Sequence, residues 1–178
     1  MPRQPRIEYE HAFYHVMNRG RARCMIFHED FYYQTFLDTL GEACLRFDCL
    51  VNAYCLIGNH YHILIETLKA NLSRIMRHIN GVYTQRYNRL KKSDGPLFRG
   101  RFKAILVDHD GYLLQLSRYI HRNPIDMKSP LVTQLLDYYW SNYSGYVGKA
   151  KPVELLAQYL TFGMLVHEDK HNGYATYV

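Results

Sequence analysis

Apolar residues recur along this chain in two periods, and the switches between them outline its elements. His11 to Asn18 (His-Ala-Phe-Tyr-His-Val-Met-Asn) is β-prone with rough alternation, and Arg19-Gly20 ends it, so a first strand is expected there. Arg21-Ala22-Arg23 follows as a basic turn. From Asp30 to Asp48 the apolar positions Phe31, Phe36, Leu37, Leu40, Ala43, Cys44 and Phe47 keep helical spacing, which predicts a first helix. Cys49 to Ile57 is an apolar run broken only by Asn52, the mark of a buried strand. Gly58-Asn59 is a turn signal, and Tyr61 to Glu66 forms the strand beyond it. Asn71 is placed to cap a second helix from Leu72 to about Leu90, with Leu72, Ile75, Met76, Ile79, Val82 and Tyr83 on one face. Lys91 to Pro96 is a loop, and Phe102 to Val107 a further strand. A third helix starts at Asp108 or Asp110 and runs to about Arg122, where Pro124 is expected to stop it.

Read without its last helix, this order predicts an α+β, ferredoxin-like split βαβ fold: an antiparallel sheet with helices packed on one face. From Ser129 onward the pattern is less regular, with Tyr138-Tyr139-Trp140 its densest aromatic stretch. That region reads as short helices wrapped over the domain. Repeats and linkers are lacking, so the expected division is one domain over residues 1–148 and a C-terminal tail, 149–178, packed on it.

A chain of 178 residues with 48% hydrophobic content suffices for one well-buried domain and is short for two. Its apolar runs are broken by charge, which argues against a membrane span or a membrane partner. Met1-Pro2-Arg3-Gln4-Pro5-Arg6 lacks the apolar core of a signal peptide, so the default expectation is cytoplasmic. Four cysteines without a Cys-x-x-Cys pair read as reduced, mostly buried thiols. The formal net charge of +6 and an aromatic content of 15%, with seventeen tyrosines against one tryptophan, are compatible with nucleic-acid binding. Tyrosine also fills strands and packing edges, and composition alone favours that blander use.

Charge distribution sharpens the point. The second helix and the loop after it carry Arg74, Arg77, Arg86, Arg89, Lys91, Lys92, Arg99, Arg101 and Lys103, opposed by Asp94 alone. Solvated helix faces ordinarily mix signs to gain i,i+4 pairs, so one-signed charge of this length points to phosphate contact.

Two motifs carry candidate chemistry. His60 and His62 flank Tyr61 just after the Gly58-Asn59 turn, and side chains at i and i+2 of a strand project from one face. Such an imidazole pair suits a divalent metal, although ten histidines make a chance His-x-His common. Tyr119 and Asn123, at i and i+4, share a face near the end of the third helix, while Leu113, Leu116 and Ile120 cover its core side. They are either a nucleophile and a weak metal ligand, or a surface tyrosine followed by an ordinary Asn-Pro stop.

Together these pieces resemble the HUH single-tyrosine transposases, and most of all the REP-associated tyrosine transposases. The likeness rests on Asn59-His60-Tyr61-His62, on Leu97-Phe98-Arg99-Gly100-Arg101-Phe102-Lys103, on Ser117-Arg118-Tyr119-Ile120-His121-Arg122-Asn123-Pro124 and on Trp140-Ser141-Asn142-Tyr143. It runs from about His11 to Gly148. The resemblance implies a metal-dependent endonuclease and strand transferase acting on single-stranded, hairpin-forming DNA. In that reading His60, His62 and Asn123 hold Mg²⁺ or Mn²⁺ against the scissile phosphate. Tyr119 attacks phosphorus, leaving a 5′-phosphotyrosine link and a free 3′-OH. The chain departs from the family where Ile57-Gly58-Asn59 replaces Met-Pro-Asn, and where Ile125-Asp126-Met127-Lys128 replaces Val-Arg-Ala-Gly. Glu66 shares the strand face of the two histidines and reads as structural.

Other readings stay open. One is a domesticated relative that holds DNA or RNA hairpins without cutting. Another is an RNA-binding ferredoxin-like module with Tyr54 and Tyr61 stacking bases, which leaves the histidines unexplained. The chain is either a monomer using its own tyrosine or a homodimer with shared sites.

Overall fold

The computed structural model describes residues 6–107, 110–150 and 157–178. Four strands, β1 (Ala12–Arg19), β2 (Cys49–Ile57), β3 (His60–Thr67) and β4 (Lys103–Val107), form one sheet in the order β2-β3-β1-β4. Every pairing is antiparallel, as the ferredoxin-like reading requires. The helices α1 (Asp30–Phe47) and α2 (Leu72–Lys91) fill the two crossovers. They pack on one face, where Phe36, Leu40, Ile75, Met76, Ile79 and Tyr83 meet Tyr14, Val16, Tyr61, Ile63 and Ile65. The additional helix, α3 (Asp110–Asp126), lies on the opposite face, with Leu113, Leu116 and Ile120 against Cys55, Ile57 and Leu64. The sheet is therefore covered on both sides, which is why β2 and β3 are nearly continuous apolar runs.

The interruption at Asn52 is a β-bulge. Register shifts between Val51 and Ala53, so Val51 faces α1 and α2 while Ala53, Cys55 and Ile57 face α3. Beyond the bulge, Trp140 to Asn142 covers the open edge of β2: Leu56 N donates to Trp140 O (2.8 Å) and Tyr54 N to Asn142 Oδ1 (2.7 Å). The Trp-Ser-x-Tyr stretch thus blunts an edge that would otherwise expose unpaired amides.

Two local expectations are corrected. Asn71 precedes α2, yet its side chain does not cap the helix; its amide donates to Phe47 O (2.8 Å). Glu8 of the N-terminal arm takes that role, accepting from Ser73 N (3.0 Å) and Ser73 Oγ. Pro124 does not stop α3, which continues to Asp126. A proline within the last turn removes a single intrahelical bond, and the helix ends two residues later.

The alternative start of α3 at Asp108, residues 1–5 of the arm and residues 151–156 of the tail lie outside the described residues. The described tail includes the short helices α4 (Tyr143–Tyr146), α5 (Tyr159–Gly163) and α6 (Lys170–Tyr177). Tyr143, Tyr146, Leu165 and Tyr174 form a small core of their own beside α3. No helix of the described residues is long and apolar enough to cross a membrane.

Candidate active site

The two-residue turn Gly58-Asn59 joins β2 to β3, with Ile57 paired to His60. Gly58 lies close under the Met25 side chain, so that a Cβ there would fall 2.3 Å from Met25 Cε and push that flexible, partly exposed side chain aside. Its carbonyl accepts from Ile26 N (2.7 Å) and Phe27 N (2.9 Å), which pins the hairpin tip. His60 and His62 then project from the α3 face, their ring centroids 5.2 Å apart, while Tyr61 points the other way into the core. α3 crosses above them. The ring of Tyr119 stands edge-on to His62 at 5.7 Å, within the same chain. Tyr119 is 53% exposed, so its phenol is open to a ligand, whereas Ile120 and His121 on either side of the helix are buried.

A third histidine completes the cluster. β1 runs antiparallel to β3, with Met17 opposite His62, and His15 projects from the same face one pleat away. His15 is 5% exposed, its Nε2 lies 2.9 Å from His62 Nδ1, and its ring stands 6.0 Å from that of Tyr119. Asn59 holds the other imidazole, with Oδ1 2.7 Å from His60 Nδ1. An amide oxygen only accepts, so His60 Nδ1 carries the proton and Nε2 keeps its lone pair.

Burial pushes His62 down to about 3, with His15 and His60 adding to the effect. Burial, then Lys103, lowers His15 to about 4, and burial lowers His60. The three rings are neutral at pH 7, the form in which imidazole binds metals.

A cavity of about 710 Å³ opens beside His60 and His62, lined by Arg19, Arg23, Arg99, Arg101 and Lys103, with Met17 and Met127 among its apolar walls. The loop after α2 builds one side of it. Leu97, Phe98 and Phe102 are buried in the core, which turns Arg99 and Arg101 outward. Backbone bonds from Arg21 N to Leu97 O (2.9 Å) and Arg99 N to Arg19 O (3.0 Å) clip the loop to the end of β1. Such a clustering of guanidinium groups around a cleft suits a phosphodiester chain.

The structure thus brings together His60, His62, Tyr119, Arg99, Arg101 and Lys103. Asn123 sits one turn beyond Tyr119, its Nδ2 donating to Tyr119 O (3.1 Å). Arg74, Arg77, Arg86, Arg89, Lys91 and Lys92 belong to α2 or its C-cap, on the other side of the sheet. Of these, Arg86 is engaged with Glu42 (2.8 and 2.9 Å) and Thr39 Oγ1 (2.8 Å), joining α2 to α1. His15, Asn59, Arg19, Arg23, Met17 and Met127 were not singled out from the sequence as site residues. For His15 a signal existed: in the strand order of a ferredoxin-like sheet, its parity on the first strand sets it beside the histidine pair.

Residues 8–123 match the family of IS200-like transposases, and the matched stretch takes in every residue from His15 to Asn123. The chain belongs to that family, whose members are DNA-processing transposases. In fold it is similar to a REP-associated tyrosine transposase bound to a REP hairpin. That likeness has a TM-score of 0.68 at 16% identity and covers 88% of this chain and 92% of that one. Two looser likenesses are to a proposed transposase of Deinococcus radiodurans (TM-score 0.47, 14% identity, 68% of this chain and 97% of that one) and to a bacterial tRNA-His guanylyltransferase-like protein in complex with GTP (TM-score 0.42, 17% identity, 68% of each). No curated protein matches the chain.

Proposed function

We propose that this transposase is a metal-dependent endonuclease and strand transferase for single-stranded, hairpin-containing DNA, cutting through a covalent 5′-phosphotyrosine intermediate. The observation that carries the reading is the Tyr119 ring 5.7 Å from His62, beside His60, in one chain. Tyr119 is 53% exposed, and no described residue takes its hydroxyl in a hydrogen bond.

The residues fit a divalent ion. His60 Nε2 is bare, His62 has its Nδ1 engaged with His15, and no described residue donates to Asn123 Oδ1. Among the described residues no three His, Cys, Asp or Glu side chains form a metal set, so an amide oxygen and DNA phosphate would complete the ligands. Mg²⁺ or Mn²⁺ held by His60, His62 and Asn123 would neutralise charge on the scissile phosphate.

The chain's own residues supply the rest. Phenols titrate near 10 and are weak nucleophiles at neutral pH, so position matters as much as activation. Tyr119 Oη forms a bond to phosphorus while the P–O3′ bond breaks. The phenol loses its proton, the departing 3′ oxygen gains one, and the 5′-phosphate stays on the tyrosine. Phosphodiester energy is conserved in that link, so a 3′-OH from a new end can reverse the step. Arg99, Arg101 and Lys103, with Arg19 and Arg23, hold the strand in the cavity, and the basic α2 residues apart from Arg86, which is engaged with Glu42, give a second surface for phosphates. The catalytic unit is residues 1–148, with 149–178 as its tail.

The test is incubation with a single-stranded hairpin oligonucleotide and Mn²⁺ or Mg²⁺, scoring a protein–DNA adduct that resists denaturation. An adduct persisting in Tyr119→Phe would sink the nucleophile assignment. Tight binding without cleavage under any divalent ion would favour the domesticated hairpin binder instead.

A further inference from the structure

The hydrogen bond between His15 and His62 has a consequence for which atom of His62 faces a ligand. A neutral imidazole carries one proton on two nitrogens, so a bond between two such rings fixes the tautomer of both. Of the two arrangements, only one leaves His62 with a bare Nε2. In it Nδ1–H of His62 donates to Nε2 of His15. We propose that His15 is a positioning residue that sets the tautomer and ring orientation of His62, as Asn59 does for His60.

Three observations carry the inference. The contact is 2.9 Å and buried, so losing it leaves a polar atom without a partner. The ring centroids lie 5.1 Å apart with 29° between the planes, the nearly coplanar, edge-to-edge arrangement that an in-plane N–H···N bond takes, which fixes the His62 ring as well as its proton. The same His15 ring stands at 75° to Tyr119, 6.0 Å away, so one side chain touches both halves of the proposed site. Asn59 and His15 reach their imidazoles at the same atom, Nδ1, from opposite sides: one from the turn, one from the neighbouring strand. Both rings are thereby readied to present Nε2. Partners of this kind typically alter metal affinity by about 10- to 100-fold.

The inference rests on the metal reading above, and the experiment separates the two. Mn²⁺ alone is titrated into the full chain and followed by electron paramagnetic resonance, with no DNA and no turnover. Three variants are compared: His15→Phe keeps the ring volume without an acceptor, His15→Gln restores an acceptor near the Nε2 position, and His60→Ala removes a ligand. The expected result is Mn²⁺ binding weakened about 10-fold or more by His15→Phe and held within about threefold of the unmutated chain by His15→Gln. Unmutated affinity in a folded His15→Phe, beside clear weakening in His60→Ala, overturns the role of His15 and leaves the metal site standing. Unmutated affinity in His60→Ala brings down the metal reading and this inference with it. Should His15→Phe fail to fold, ¹⁵N spectra of the unmutated chain's histidines decide: a proton on His62 Nδ1 is expected, and a proton on Nε2 overturns the proposal.

Discussion

Tyr174 Oη lies 2.7 Å from His121 Nδ1, in the buried space between the C-terminal helix and the helix that carries Tyr119. His121 Nε2 reaches Asn142 Oδ1 (2.8 Å), which also accepts from Tyr54 N on β2. An amide oxygen only accepts, so Nε2 carries the proton and Nδ1 is an acceptor facing the Tyr174 hydroxyl, which also reaches Ser117 Oγ (3.0 Å). Burial lowers His121 to about 4, which keeps the ring neutral and that arrangement intact at pH 7. The chain of bonds ties tail, α3 and sheet together two residues from Tyr119. Replacing Tyr174 by Phe takes the hydroxyl from both His121 Nδ1 and Ser117 Oγ and leaves a buried nitrogen unpaired, at a cost of about 1–3 kcal/mol. The melting temperature should fall by several degrees. On the proposed mechanism adduct formation should fall further than hairpin binding, because the loosened part is the platform of Tyr119. Equal losses in both would mean the network serves only stability.

Tyr119→Phe is the complementary case. The residue is half exposed, and no described residue takes its hydroxyl in a hydrogen bond, so its loss should leave stability within about 0.5 kcal/mol. Hairpin affinity should persist in a gel-shift assay while the covalent adduct disappears. Loss of binding along with the adduct would show that the phenol holds DNA and does not attack it.

How much of this was legible beforehand follows from the range of each interaction. Period and turn chemistry are local, so β2, the Gly58-Asn59 turn, β3, α1 and α2 could be read within a residue or two. The facing of His60 and His62 follows from strand parity alone, and the core side of α3 from Leu113, Leu116 and Ile120. What escaped depends on contacts between distant stretches. His15 meets His62 across 47 positions, Glu8 caps α2 across 65, and Asn142 reaches Tyr54 across 88. The face taken by α3 also has no local signature, because an extra helix beyond the split βαβ unit can pack on either side of a sheet whose strands are apolar throughout. Ion pairing escaped for a related reason: Arg86 looks like its basic neighbours in sequence, and only the packing of α1 beside α2 gives it Glu42.

Arg101 and Arg86 should therefore behave differently. Arg101 lines the cavity and is exposed, so Arg101→Ala should weaken hairpin binding and reduce the salt dependence of the affinity by about one unit of slope. Arg86→Ala breaks a partly exposed pair with Glu42 and a bond to Thr39, and should lower stability by about 0.5–1 kcal/mol. Its hairpin affinity should stay near that of the unmutated chain. A salt slope reduced equally in both variants would mean that Arg86 contacts DNA in spite of its pair with Glu42.

Acid should weaken the fold through its buried histidines. His15 and His121 are lowered to about 4 and His62 to about 3 from an ordinary 6.5, so the folded state holds them neutral. Above 6.5 neither the folded nor the unfolded chain binds these protons, and the stability they accompany is fully present. As pH falls through 6.5 the unfolded chain takes up protons that the folded chain refuses, and stability declines until the folded rings protonate near 4 and 3. Carboxylates titrate mostly lower, so the interval from about pH 6.5 to about pH 5 isolates the histidines. Denaturant melts across that interval should show a steady loss, and His15→Gln should make the slope shallower by removing one of the three groups. A flat profile there would mean that these rings reach water in the folded protein, and that His62 is not the preset neutral ligand on which a metal-assisted cut depends.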